Sequence, residues 1–67
     1  MPRYRFSLQN SEELIEHLGG VDLPDDSEAD AFGRQVIREL LDKNPEQYAR
    51  WTMTITAGRR LVHSIPF

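Results

Sequence analysis

Two histidines, His17 and His63, are the only side chains in this sequence that titrate near neutrality without a perturbing neighbour. Acid–base catalysis would need a nucleophile or a carboxylate beside one of them. The chain has no Gly-x-Ser-x-Gly, no His-x-x-x-His and no paired-carboxylate spacing. A metal site built from His17, His63 and Glu16 is geometrically conceivable, but no ligand spacing supports it. The chain has no cysteine, which excludes disulfides, thiolate catalysis and thiolate metal sites together. Gly19-Gly20 and Gly58 lack the context of a phosphate loop and read as turns. These residues point to a protein that is not an enzyme and holds no cofactor or metal.

The arginines carry the other available chemistry. Arg3 and Arg5 leave the first predicted strand opposite its aromatics. Arg50, Thr52, Thr54, Thr56 and Arg60 can join them on a bare sheet face, so Arg3, Arg5, Arg50 and Arg60 form a candidate nucleic-acid-binding set. Sheets that read single strands expose aromatics for stacking, whereas Tyr4, Phe6 and Trp51 fall in the core phase here. The net charge of −3 also opposes a polyanion. Charge is unevenly placed: residues 1–33 set two arginines against eight carboxylates, a net of −6, and residues 34–67 set six cations against three carboxylates, a net of +3. Such a chain can pair acidic patch to basic patch with itself or with a partner.

The elements that must position these groups follow from periodicity. Ser27 to Lys43 has helical spacing, with Ala29, Phe32, Gly33, Val36, Ile37 and Leu40 on one stripe and Leu41 at its margin. Asp30, Arg34, Arg38 and Asp42 lie opposite. Asp26 or Ser27 can cap this helix, and Asn44-Pro45 stops it. Gly33 on the buried stripe implies that a strand backbone or a large side chain such as Trp51 lies close against it. Residues 3–8 alternate as a half-buried strand with Tyr4, Phe6 and Leu8 inward. Residues 13–17 return as a second strand, with Leu14 inward, or as a short helix capped by Ser11 and closed by Gly19-Gly20, which then allow a reversal. Pro45 to Arg50 is a connection. Trp51, Met53 and Ile55 alternate with threonines in a third strand, and Arg60 to Phe67 returns as a fourth after a tight loop at residues 57–59. Its inward set is Leu61, Ile65 and Phe67, with His63 carried inward; the opposite phase, with Val62 buried, is the alternative. The fold expected is a single α+β domain over residues 1–67, a small antiparallel sheet of four strands in the order β-β-α-β-β with one helix on one face.

The start MPRYRFSL, the stretch LIEHLGGVDLPD and the close GRRLVHSIPF together resemble a family of short bacterial proteins catalogued as a domain of unknown function. The resemblance runs from Met1 to Phe67. It rests on the opening strand, on the element formed by Gly20, Val21, Leu23, Pro24 and Asp25, and on Pro66-Phe67. Arg5 stands where an aromatic is typical, Ser11 where glycine is common and His17 where an acidic residue is often found. The resemblance implies a small bacterial α+β protein and supplies no activity.

A chain of 67 residues buries only roughly 60% of its unfolded surface, and oligomerisation is a natural remedy. No apolar run reaches membrane length and the N-terminus lacks a signal-peptide core, so a cytoplasmic protein without membrane association is expected. A bare four-stranded sheet has two lightly protected edges. The leading expectation is therefore a noncatalytic interaction or regulatory module that forms a homo-oligomer or takes a protein partner. A nucleic-acid-binding or antitoxin-like regulator is the alternative. Flavin-storing dodecins also place a helix on a small sheet, and Trp51 would be the stacking residue by that analogy.

Overall fold

A computed structural model describes residues 1–12 and 14–67. Its elements, in chain order, are β1 (Arg3–Gln9), β2 (Ile15–Asp22), α1 (Asp26–Lys43), α2 (Pro45–Tyr48), β3 (Thr52–Ala57) and β4 (Arg60–Pro66). The four strands form one antiparallel sheet in the order β2-β1-β3-β4, with α1 across one face. This is the expected α+β architecture.

Alternation makes β1 the central beam. Tyr4, Phe6 and Leu8 are buried on the helix side, and Arg3, Arg5 and Gln9 are exposed on the other. Met53, Ile55 and Ile65 complete the strand side of the core, and α1 brings Ala29, Gly33 and Ile37 down onto it. Val36, Leu40 and Leu41 are half-buried around this centre, while Phe32 reaches β1 with its ring centroid 5.1 Å from that of Phe6. The close approach at Gly33 is now explicit. A Cβ there would lie 2.9 Å from Met53 Sδ and 3.0 Å from Ile55 Cδ1, so the helix meets β3 through these two side chains rather than through Trp51.

The cap of α1 is Asp25, one residue before the two expected. Its backbone is extended and its carboxylate accepts from the Glu28 amide at 2.9 Å. Pro45, which ends α1, also opens the one-turn helix α2, because proline at a first helical position forgoes an N–H that would be unpaired anyway. That turn buries Tyr48, whose ring packs against Trp51 and Phe67 with centroids 5.6 and 6.0 Å away. The stretch expected as a plain connection thus closes one end of the core.

For residues 13–17 the strand, not the short helix, is the form observed. Of these, Glu13 lies outside the described residues, and the strand runs on from Ile15 to Asp22 through both glycines. Gly19-Gly20 is therefore not a reversal but part of β2. Phe6 faces Gly19 and Ser7 faces His17, which leaves Leu18 as the extra residue of a bulge, and Gly19 takes a φ of +98° that an L side chain rarely adopts. Leu14, expected inward, is 57% exposed.

A second bulge corrects the reading of β4. Ile55 faces His63 and Thr56 faces Leu61, so Val62 is the extra residue. Below it Ile65 and His63 share the helix side; above it the phase inverts, which turns Leu61 outward, 59% exposed, and brings Arg60 to the helix side. Neither uniform phase expected for this strand describes it.

Candidate functional site

The uncovered face of the sheet is built row by row. Arg3 faces Asp22; Arg5 lies between Gly20 and Thr56; Ser7 lies between His17 and Thr54; Gln9 lies between Ile15 and Thr52. Ser7 and the three threonines are half-buried, which gives a floor of hydroxyls between the two arginines and the far edge. β-branched threonines suit a pleated face that stays wet.

At the β2 side this face dips into a shallow bowl of about 330 Å³, whose lining includes Arg3, Arg5, Ser7, His17, Gly20 and Thr56. The two glycines supply no side chain to fill it. A Cβ on Gly20 would stand 2.6 Å from Arg3 Nε, so the absence of one lets the Arg3 side chain lie across the strand. Arg3 Nη1 is 3.8 Å from an Asp22 carboxylate oxygen, with both side chains more than half exposed, and Arg5 has no ion pair among the described residues. Arg50 sits at the other end of the face, where a second hollow of about 370 Å³ is bordered by Gln9, Thr52, Thr54 and Ser64.

Arg60 does not belong to this surface. The bulge at Val62 delivers it to the helix side, where Nη1 and Nη2 donate to the two carboxylate oxygens of Asp26 at 2.8 and 2.9 Å. Tyr4 Oη donates to the same carboxylate at 2.7 Å. The Arg60 hydrogen bonds, followed by that of Tyr4, hold the Asp26 carboxyl down at about 2. Burial, followed by the Asp26 carboxylate, pushes the Tyr4 phenol up. One turn further along α1, Asp30 accepts from Arg34 Nε at 2.8 Å and from His63 Nδ1 at 2.6 Å, and these bonds hold its carboxyl below the usual range. The two clusters clamp the first turns of α1 to β1 and β4.

The two histidines therefore lie on opposite faces of the sheet, His17 in the bowl and His63 against α1, and cannot share a ligand. Glu16 faces Leu8, on the helix side. Trp51 is not on the open face: its Nε1 donates to the Gln47 carbonyl at 2.6 Å and its ring packs on Tyr48. Sequence reasoning found Arg3, Arg5 and Arg50 on one face and missed the bowl, because a Gly-Gly pair read as a turn cannot also be read as a gap in a strand.

The two edges of the sheet differ. β4 ends at Pro66, and its Arg60 and His63 side chains are held by carboxylates of α1. β2 contains no Pro, Lys or Arg, and Leu14, Ile15 and Leu18 at its start are 57%, 58% and 41% exposed. Among the described residues no helix is long and apolar enough to cross a membrane.

A family model described as a domain of unknown function (DUF6894) matches residues 3–67. No curated protein and no solved structure matches the chain.

Proposed function

The chain belongs to this family of unknown function, and on that footing we propose that it is a noncatalytic interaction module that pairs with a second copy of itself along β2. The observation that carries the reading is the β2 edge, an eight-residue strand without gatekeeping Pro or Lys, flanked and populated by Leu14, Ile15 and Leu18. A two-fold antiparallel pairing sets the same apolar residues of both copies against one another and joins two four-stranded sheets into one of eight. It covers apolar surface that a 67-residue domain cannot cover alone. The choice of β2 over β4 follows from the latter's Pro66 and its pinned Arg60 and His63.

Sedimentation velocity tests this. The 7.8 kDa chain is expected to shift from monomer to dimer between roughly 1 and 500 µM, and Leu18→Lys is expected to abolish the shift while leaving the circular dichroism spectrum unchanged. A wild-type chain that stays monomeric throughout overturns the reading.

The alternative, a nucleic-acid surface on the open sheet face, draws on Arg3, Arg5 and Arg50 at the two ends of a hydroxyl-rich floor. It loses Arg60 to Asp26 and has no aromatic side chain in the strand rows of that face.

A further inference from the structure

We propose that the glycine-floored bowl beside β2 binds a phosphate group, as the free anion or as a small monoester. This site is independent of pairing along the β2 edge.

The donors are of the right kind and in the right place. Arg3 and Arg5 are two residues apart on one strand, so both project to the open face, about 7 Å apart along it. Each guanidinium is a planar fork that matches two phosphate oxygens. Ser7, Thr56 and His17 add donors around the rim. Two forks with added hydroxyls offer more N–H and O–H groups than the two oxygens of a carboxylate can accept, and this favours a tetrahedral anion.

The positive charge is largely unspent. Asp22 is the one carboxylate paired with either arginine among the described residues, at 3.8 Å and well exposed to water, and Arg5 has none. Gly20 leaves room for the Arg3 guanidinium, which a Cβ would displace, and at Gly19 a Cβ would meet nothing within 4 Å. A volume of about 330 Å³ admits a phosphate with a short substituent. A polymer is disfavoured, because Arg50 stands beyond the Ser7 and Gln9 rows and no aromatic lies between to stack a base.

Amide chemical shifts followed by NMR at constant ionic strength test the site with three probes: inorganic phosphate, glycerol 3-phosphate and a ten-residue thymidine oligonucleotide. The expected result is a saturating shift of the Arg5, Ser7, Gly19 and Gly20 amides with either small probe, the tighter of the two naming the source, while the amides of Lys43, Asn44, Glu46 and Gln47 stay still. Arg5→Gln is expected to weaken binding about tenfold through loss of a charge-assisted fork. Asp22→Asn, which frees Arg3, is expected to tighten it severalfold. Both positions are exposed, so both variants are expected to keep the fold, and Arg5→Gln is expected to sediment as the wild type does. Shifts that fail to saturate, or that Arg5→Gln leaves unchanged, overturn the proposal. Binding of the oligonucleotide alone, weakened equally by Arg5→Gln and Arg50→Gln, overturns it in favour of a nucleic-acid surface.

Discussion

Arg60 grips Asp26 with both of its terminal nitrogens, at 2.8 and 2.9 Å, across 34 residues of chain. The contact exists because β4 inserts Val62 as a bulge and so inverts the phase of the residues before it. It fixes the start of α1 above the end of the sheet, and the buried Tyr4 joins it from β1.

Acid should loosen this clamp. The Asp26 carboxyl is lowered from 3.8 to about 2 in the folded chain. A depressed folded value means that the stabilisation is fully present above the unfolded value of 3.8 and is lost as pH falls from there through about 2. Urea midpoints measured across that window should fall, and Asp26→Asn should make the fall shallower. An unchanged slope in the variant would remove Asp26 from the account.

Tyr4→Phe deletes a hydroxyl that donates at 2.7 Å from a side chain only 1% exposed, and leaves the ring in place. The expected cost is about 1 kcal/mol in denaturant unfolding. Combined with Asp26→Ala, which removes the acceptor, the double loss should be smaller than the sum of the two single losses, because both variants delete the same bond.

Gly33 tests the fit of helix to sheet. In a free helix, replacing glycine gains about 1 kcal/mol. Here even a Cβ lies 2.9 Å from Met53 Sδ and 3.0 Å from Ile55 Cδ1, both on fully buried residues. Gly33→Leu should therefore destabilise by about 3 kcal/mol or more, enough to unfold a domain of this size. Thermal melts that rise instead would show that α1 can lift away.

Leu61 and Ile65 have the same hydrophobic character on one strand but opposite fates, 59% and 4% exposed. Leu61→Ser is expected to change stability by no more than about 0.5 kcal/mol, and Ile65→Ala to cost about 2–5 kcal/mol. Equal effects would mean that β4 keeps one phase along its length.

Much of the fold was legible in the residues. The alternation of Tyr4, Phe6 and Leu8 marked β1, the stripe from Ala29 to Leu40 marked α1, and the threonines of β3 marked the wet face, because each pattern repeats a local geometry of the backbone. The expected membership of a domain family of unknown function also holds, over residues 3–67. What failed was the assumption of uninterrupted period two. The bulges at Leu18 and Val62 each shift the phase by one residue, so Leu61 was placed inside and Arg60 outside. Their cause is pairing with another strand, which no local pattern records. The Gly-Gly pair was read as a reversal because its local turn signal does not record that β1 pairs alongside it.

Local pattern alone sets which segments can bury a face, where α1 must stop at Pro45, and that Arg3 and Arg5 share one side of their strand, since these depend on neighbours in the chain. That β1 lies between β2 and β3, that Gly19 and Gly20 line a bowl beside those arginines, and that Arg60 and His63 are spent on carboxylates of α1 emerge in the folded chain. Those outcomes depend on strand order and register, which are fixed by contacts between residues far apart in the chain.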